Sequence, residues 1–345
     1  MFFNRTNRPF VVAGPCSVES REQLRNATET LGGLRAVDLI RAGVWKPRTR
    51  PGGFEGLGKP ALEWMHELAK EHNVHFCCEV ARSEQVELCL QYGIEAVWLG
   101  ARTTTNPFMV DELCTALRGT GLAVMVKNPV CPDVRLWTGA FERLQKAGIV
   151  DLAAVHRGFN MYDNGGYRNA PLWEVALELR RELPEVPILI DPSHIGGRAN
   201  LVAPLAHTAR MLDYDGLMVE VHPSPSEALT DAAQQITPEA FEALVADWLA
   251  MPTANLSEAS HLLAPLRDQI DLLDRELLSL IAKRMAVSRR IASIKHGAHL
   301  PVYQQARWAD VMADRLRLAA ELGLDEHFIK KLLESIHAES VRVQM

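Results

Sequence analysis

Eight short apolar runs alternate with stretches of helical periodicity through the first 250 residues of this 345-residue chain. The runs cover residues 10–14, 37–45, 74–80, 96–100, 123–126, 152–155, 187–190 and 216–219. This alternation is typical of parallel α/β folds, and eight strand–helix units are what a (β/α)8 TIM barrel requires. A doubly wound open sheet shows the same alternation and stays open as an alternative on this ground alone.

Each of the eight runs ends at or just before a reactive polar residue. In chain order these residues are Cys16, Lys46, Glu79, Arg102, Lys127, Arg157, His194 and Glu220. The carboxyl ends of all eight strands of a barrel converge on one mouth. The outermost strands of an open sheet would hold their residues too far apart to share a ligand. The pattern therefore favours the α/β barrel, with a functional site at its mouth.

Cations are concentrated at these strand ends. The residues concerned are Arg41, Lys46, Arg48, Arg102, Lys127 and Arg157. Burying so many like charges together requires anions to neutralise them. Pairing with a nearby Asp or Glu would explain a single residue. Six cations beside only a few carboxylates instead indicate ligands that carry phosphate and carboxylate groups.

Four potential metal ligands follow strands that would be neighbours at the seam of a closed barrel. They are Cys16, His194, Glu220 and Asp231. One thiolate, one imidazole and two carboxylates combine soft and hard donors, which suits a divalent ion such as Mn, Fe, Co or Zn better than Mg or Ca. Sequence alone leaves two alternatives open: Asp231 capping the next segment, and His194 as a hydrogen-bonded core histidine.

Composition narrows the class of partner and the compartment. The formal net charge is −6, which argues against nucleic acid or an anionic membrane as the main partner. No apolar run approaches the roughly 20 residues of a membrane helix, and no signal-peptide pattern begins the chain, so we expect a cytoplasmic protein. We expect reduced thiols throughout, with five cysteines as buried small hydrophobes: Cys77, Cys78, Cys89, Cys114 and Cys131.

The composition changes after residue 250, and strand signals end. We predict a barrel over 1–250, a linker over 251–258 and an all-α three-helix domain over 259–345, with helices near 257–296, 305–322 and 325–343. The first helix has a coiled-coil-like apolar seam, which predicts dimerisation because the seam would otherwise stay exposed. Arg284 occupies this seam. Arg267 lies 17 residues earlier, about 26 Å away along the helix, so a functional Arg267 would serve a second chain.

The barrel segment resembles one enzyme family in motifs that run in order along residues 9–250. The motifs are VVAGPCSVES, KPRTRPGGFEGLG, WLGART, VKNP, HRG, DPSHIGG, VEVHPSP and LTDAAQQ. They are similar to those of the 3-deoxy-D-arabino-heptulosonate 7-phosphate (DAHP) synthases, type I, β subtype. The KPRT run distinguishes that family from the related octulosonate-phosphate synthases. The resemblance implies the first step of the shikimate pathway: condensation of phosphoenolpyruvate with D-erythrose 4-phosphate and water to DAHP and phosphate.

The same resemblance implies a role for each matching residue. Cys16, His194, Glu220 and Asp231 would hold the divalent metal. Arg41 and the catalytic Lys46 would meet the phosphoenolpyruvate carboxylate, and Arg102, Lys127 and Arg157 its phosphate. Arg48 and Thr49 would bind the phosphate of erythrose 4-phosphate, with Ser193 assisting. A synthase that takes a longer aldose phosphate is the more distant alternative.

The tail resembles the all-helical class of chorismate mutase, which rearranges chorismate to prephenate. The matching runs are LRDQIDLLDRELLSLIAKRMAVSRRIASIK, LPVYQQAR and ESVRVQ. The match implies catalytic roles for Arg284, Lys295 and Gln344, and substrate binding by Gln304, Arg307 and the partner's Arg267. Gln304 stands where the family usually has an acidic residue, and Trp308 where it has a glutamate. Either the tail is a second catalytic domain of a bifunctional homodimeric enzyme, or it is mainly an allosteric sensor of chorismate or prephenate that inhibits the barrel.

Overall fold

The computed structural model describes residues 3, 8–46, 52–251 and 256–345, except for the side chains of 256–262. The internal contacts of the chain divide it into two units, Met1–Pro252 and Thr253–Met345. Within the described part of the chain, none of the helices combines the length and apolar character that crossing a membrane requires.

The first unit is a closed barrel of eight parallel strands, each hydrogen-bonded to the next in chain order, as predicted. The strands are β1 Phe10–Gly14, β2 Leu39–Arg41, β3 Phe76–Val80, β4 Ala96–Leu99, β5 Ala123–Lys127, β6 Leu152–His156, β7 Ile188–Ile190 and β8 Gly216–Glu220. The ring closes where β1 pairs with β8, from Phe10 opposite Gly216 to Gly14 opposite Glu220. This register puts the ends of the first and last strands side by side at the mouth.

Helices follow the strands. They are α1 Arg21–Gly32, α2 Lys59–His72, α3 Ser83–Gln91, α4 Ala101–Thr104, α5 Pro107–Leu117, α6 Val134–Lys146, α7 Trp173–Glu182, α8 Pro192–Gly196, α9 Val202–Met211 and α10 Pro238–Ala250. Short 3-10 turns lie at Ala199–Leu201, Pro225–Glu227 and Ala232–Gln234. Side chains at the helix starts accept backbone N–H groups, as Ser20 does from Gln23 and Thr237 from Ala240, which satisfies donors that the helix itself leaves unpaired.

The second strand is shorter than the apolar run that predicts it. The run covers 37–45, whereas β2 has only three residues. The backbone of the last residues bonds to loops instead of strands: the Gly43 carbonyl accepts from Val18, and the Lys46 N–H donates to the Glu55 carbonyl. Gly43 allows this approach, since a Cβ there would lie 2.0 Å from the carbonyl oxygen of Cys16. The short strand thus lets the loop carrying Cys16 pack closely against the chain after β2.

The second unit contains three helices, as predicted: α11 Leu256–Gly297, α12 Gln305–Glu321 and α13 Glu326–Arg342. Asp325 caps α13 by accepting the Phe328 N–H at 2.7 Å, and Gly323 takes a positive φ of 68° before it. The apolar seam of α11 is largely exposed in the single chain: Ile270 is 56% exposed and Leu273 is 62% exposed.

One prediction about the cysteines is wrong. Four of the five cysteines expected in the core are buried, but Cys131 is exposed. It lies just after the Asn128-Pro129 pair, in the connection from β5 to α6, where the chain has already left the barrel wall. Its short apolar surroundings in the sequence therefore belong to a loop and not to a buried strand.

The seam between β1 and β8 depends on a glycine. A Cβ on Gly216 would lie 2.0 Å from the carbonyl oxygen of Phe10, so we expect Gly216→Ala to destabilise the barrel by about 1–3 kcal/mol. Gly139→Ala is the control, because a Cβ there meets nothing within 4 Å in the middle of α6. It should raise the free energy of unfolding by about 0.5–1 kcal/mol. Urea denaturation followed by tryptophan fluorescence measures both, and equal effects of the two variants would contradict this account.

Candidate functional site

Three potential metal ligands converge at the seam of the barrel. One donor atom each from Cys16, Glu220 and Asp231 lies within 4.8 Å of the others. Cys16 follows β1, Glu220 is the last residue of β8, and Asp231 lies in the loop after β8. The Cys16 Sγ is 3.5 Å from an Asp231 carboxylate oxygen. The closure of the ring is what brings together residues so far apart in the chain.

His194 joins this cluster from the neighbouring β7–α8 connection. Asp191 caps α8 by accepting the backbone N–H of His194 at 3.1 Å, and Pro192 begins the helix. The His194 Nδ1 lies 2.8 Å from Asp191 Oδ2, and its Nε2 lies 3.7 Å from Glu220 Oε1. A carboxylate on one ring nitrogen typically orients the other toward a metal, and Asp191 is placed to do this.

The electrostatics of the cluster keep its carboxylates ionised. Burial alone would raise the pKa of Glu220, but its interactions with His194, Arg41 and Lys46 lower it to about 2. Burial raises the pKa of the Cys16 thiol to about 12, and the charge of Glu220 adds to the effect. The thiol is therefore protonated at neutral pH until a cation displaces its proton.

The donor set fits a divalent metal ion. Two ionised carboxylates, an imidazole nitrogen turned toward one of them and a thiol provide four potential ligands. Lys46 Nζ lies 2.9 Å from both Sγ and the carbonyl oxygen of Cys16, so its ammonium is in direct contact with the thiol. The mixture of soft and hard donors matches borderline divalent ions.

A cavity of about 530 Å³ opens beside the cluster at the barrel mouth. Predicted site residues in its lining are Lys46, Arg102, Lys127, Arg157, His194 and Asp231. Burial lowers the pKa of Arg157 to about 10, so its guanidinium still carries a charge at neutral pH. The four predicted cations and the edge of the candidate metal site thus face one space, whose size suits small phosphorylated molecules.

Two predicted substrate-binding residues, Arg41 and Ser193, are buried outside the lining of this cavity. The Arg41 guanidinium lies 3.0 Å from Glu220 Oε1 and 5.1 Å from the centre of the Trp98 ring, and its Nε and Nη1 have no hydrogen-bond acceptor among the described residues. The Ser193 hydroxyl accepts the Glu220 N–H at 3.0 Å. In this structure Ser193 therefore holds the end of β8.

Some cations pair with carboxylates, the alternative that the sequence offered for each of them. Arg41 pairs with Glu220, and Lys127 Nζ lies 2.9 Å from Asp191 Oδ2. Arg157 instead donates to the neutral amide oxygen of Asn169 at 2.9 Å. Arg48 and Thr49 belong to the segment 47–51, outside the described residues.

Sequence reasoning missed Arg168 and Asn169, which also line the cavity. Arg168 pairs with Asp231 at 3.1 Å and bonds to Gln234, whose amide donates to Glu220 at 2.6 Å. Asn169 connects the Arg157 guanidinium to the backbone carbonyl of His194. Both residues lie in the long β6–α7 connection, far from any strand end, so the strand-end pattern gave no signal for them.

Three predicted mutase residues lie in α11 or just beyond the end of α13: Arg284, Lys295 and Gln344. Arg284 donates to the hydroxyl of Ser340, which is buried. The Gln344 amide nitrogen donates to the Ser340 carbonyl at 2.9 Å, while its oxygen Oε1 is buried without a donor among the described residues. Lys295 Nζ donates to the Val302 carbonyl at 2.6 Å, where the chain approaches α12.

The other three predicted mutase residues are exposed in the single chain. Gln304 immediately precedes α12, and Arg307 lies in its first turn. Arg267 is on α11, 17 positions before Arg284 (284 minus 267), within a stretch whose side chains are exposed throughout 263–280. This chain therefore does not itself bring Arg267 to the cluster around Ser340.

Comparison with protein families assigns both units. Residues 3–254 match the model of the DAHP synthetase I family, and residues 266–345 match that of chorismate mutase type II. Phospho-2-dehydro-3-deoxyheptonate aldolase of Thermotoga maritima is 32% identical over 235 residues, which cover 68% of this chain and 67% of that protein. A crystal structure of DAHP synthase from the same organism has a TM-score of 0.64 and 31% identity, covering 70% of this chain and 68% of that one.

Two further relatives match different parts of the chain. 2-Dehydro-3-deoxyphosphooctonate aldolase of Wolinella succinogenes is 25% identical over 268 residues, covering 70% of this chain and 98% of that protein. The T-protein of Enterobacter agglomerans is 37% identical over 78 residues, covering 23% of this chain and 21% of that protein. The barrel is thus more similar to the heptonate relative than to the octonate one.

Proposed function

Because the chain belongs to the DAHP synthetase I family and carries a chorismate mutase type II domain, it is a bifunctional enzyme of aromatic biosynthesis, and we propose how its residues perform the two reactions. In the barrel, phosphoenolpyruvate condenses with D-erythrose 4-phosphate and water to give DAHP and phosphate. The observation that carries this proposal is the cavity in which five cations adjoin a cluster of metal-type donors.

The cations hold two anionic substrates that would otherwise repel each other. Arg102, Lys127 and Arg157 bind the phosphate of phosphoenolpyruvate, and Arg41 and Lys46 its carboxylate. The Nε and Nη1 donors of Arg41, which have no acceptor among the described residues, support its binding of the carboxylate, because buried guanidinium donors need acceptors. Arg48 and Thr49 bind the phosphate of erythrose 4-phosphate, with Ser193 assisting. Fixing the reacting carbons at contact distance supplies much of the rate gain.

Cys16, His194, Glu220 and Asp231 hold the divalent ion, which is Mn, Fe, Co or Zn. When bound, such an ion supplies Lewis-acid polarisation of the aldehyde or activation of water. Lys46 is the catalytic proton donor: its ammonium holds a proton at Nζ. Burial lowers the pKa of Lys46, but its contact with Cys16 and the charge of Glu220 outweigh that effect and raise it. Arg168 and Asp191 keep Asp231 and His194 in place.

In the tail, the rearrangement of chorismate to prephenate needs no nucleophile, so charge stabilisation is the work of the site. Arg284, Arg307 and the partner's Arg267 hold the two carboxylates, and Gln304 bonds to the ring hydroxyl. Lys295 and Gln344 donate to the ether oxygen as its bond to carbon breaks. The burial of Gln344 supports this role, because a shielded donor is worth more to a developing charge.

The functional unit is a homodimer that forms through α11. Its seam leaves large apolar side chains in water, among them Leu266 and Leu280, at 55% and 61% exposure. A second copy of the helix would bury this seam and bring Arg267 to the other chain's Arg284. The linker 251–258 separates the barrel, 1–250, from the mutase domain, 259–345. The six free thiols support a reducing, cytoplasmic location.

Replacing the thiol tests the barrel reaction. Cys16→Ser should weaken metal retention by more than about 100-fold and abolish DAHP formation, because the serine hydroxyl is a far poorer ligand than a thiolate. Metal content after gel filtration, DAHP formation and mutase activity are measured on the same preparation, and the mutase should be unchanged.

Cys131→Ser is the matched control, since Cys131 is exposed and outside the cavity lining. Retained metal and DAHP formation in Cys16→Ser would refute the ligand assignment. A wild type that prefers arabinose 5-phosphate to erythrose 4-phosphate would refute the substrate assignment.

A mixing experiment tests the shared mutase site. Arg267→Ala and Arg284→Ala should each abolish mutase activity in a homodimer. Coexpressed in equal amounts, they should restore about one quarter of it, because half of the dimers are mixed and each contains one intact site. Chorismate consumption in the coexpressed sample is the measurement. Activity that stays at the level of the single variants would rule out a site shared between chains.

The sensor function of the tail is the second candidate, favoured by Trp308 at the edge of the cluster in place of a carboxylate. If the tail is a sensor, added prephenate should inhibit DAHP formation by wild type. A ligand that binds more tightly to an inactive conformation shifts the chain toward that conformation. Arg284→Ala should need at least about 10-fold more prephenate for the same inhibition. Inhibition that is absent in wild type, or identical in the variant, would exclude this function.

A further inference from the structure

Two aromatic rings stack face to face at the side of the candidate mutase cluster. Trp308 of α12 and His337 of α13 have ring centres 3.8 Å apart and planes that differ by 15°. Tyr303, just before α12, packs on the same imidazole with its ring centre 5.9 Å away. These ring contacts fix the plane of the His337 imidazole, and therefore the directions of its two ring nitrogens.

His337 lies on the face of α13 that carries the mutase residues. Ser340 follows it by three positions on the same side of the helix, and Gln344, just beyond the end of α13, donates to the Ser340 carbonyl. Arg284 of α11 bonds to Ser340. The imidazole is close enough to Arg284 and Lys295 for both positive charges, together with burial, to lower its pKa. The ring is therefore neutral at physiological pH, and a neutral imidazole has one nitrogen that accepts a hydrogen bond.

The cluster has more donors than acceptors. Arg284 and Lys295 can only donate, and no carboxylate pairs with either of them in the part of the chain that the structure describes. Two buried polar atoms have no hydrogen-bond partner among those residues: the His337 Nε2 and the Gln344 Oε1. Buried polar atoms are nearly always bonded in a complete site, so a ligand with a donor group is the missing partner.

We propose that His337 is a specificity-determining residue of the mutase site, whose Nε2 accepts a hydrogen bond from the ring hydroxyl of chorismate. The proposal rests on the mutase function proposed above and extends its substrate contacts. Chorismate has two carboxylates, an enol ether and one hydroxyl. The Gln304 amide donates to the hydroxyl oxygen, which leaves the hydroxyl hydrogen for the imidazole to accept. Trp308 is the positioning residue, which holds the imidazole by stacking.

The test pairs one substitution with one change to the substrate. Wild type and His337→Leu are each assayed with chorismate and with the analogue that has hydrogen in place of the hydroxyl. We expect kcat/KM of wild type to be about 10-fold higher for chorismate, a difference of about 1.4 kcal/mol. His337→Leu should lose this preference, with a 10-fold lower kcat/KM on chorismate and little change on the analogue. His327→Leu is the control, because His327 is exposed at the start of the same helix.

Substitutions of Trp308 provide a second, independent test. Trp308→Phe keeps an aromatic ring for stacking and should keep the preference for the hydroxyl, whereas Trp308→Leu should lose most of it. An equal loss on both substrates in His337→Leu would mean a structural role only, and an unchanged preference would mean no role. Either result overturns the proposal.

Binding measured in parallel separates this proposal from the mutase function itself. Calorimetric titration of the full chain with chorismate and with the analogue reports the hydroxyl preference even without turnover. A wild type that binds both ligands with the expected preference but does not convert chorismate refutes the mutase activity and supports the role of His337. A wild type that binds chorismate no better than the analogue refutes the role of His337, whether or not it turns over.

Discussion

The fully buried carboxylate of Glu220 is the group around which the barrel mouth is arranged. It accepts hydrogen bonds from Arg41 and from Gln234, and the His194 Nε2 lies 3.7 Å from its Oε1. Removing a charge from water costs several kcal/mol, which only a complete set of partners offsets. These partners come from β2, from the loop after β8 and from α8, so the ionised carboxylate exists only where the barrel has closed around it.

The strand-end pattern predicted the barrel, and six of its eight residues line the cavity, because the pattern reflects a strong constraint. Strands buried on both faces must be apolar until they reach the mouth, so the first reactive residue after each run marks the site. Charge pairing was less visible: nothing in the sequence distinguishes Lys127, which pairs with Asp191, from Arg157, which bonds to an amide. No sequence pattern marks Arg168, because loop residues follow no periodicity. The prediction that Cys131 is buried was wrong for the same reason.

In the helical tail, the sequence predicts the helices but not the groups that their exposed residues contact. Its three helices, their ends and the cap at Asp325 follow from local signals and match the structure closely. The partner of the exposed α11 seam and the group that completes the hydrogen bonds of His337 are not local properties. The stack of Trp308 on His337 joins two helices whose residues are 29 positions apart (337 minus 308), and no periodicity connects them.

The pairing of the first strand with the last also determines when the site can exist during synthesis. Cys16 and Glu220 are separated by 204 positions (220 minus 16), and their donor atoms meet only at the β1–β8 seam. A nascent chain that has left the ribosome as far as β7 has the thiol but not the carboxylate that neighbours it. Cys16 and Glu220 therefore come together only once the barrel is complete, and a polypeptide truncated before β8 lacks both Glu220 and Asp231.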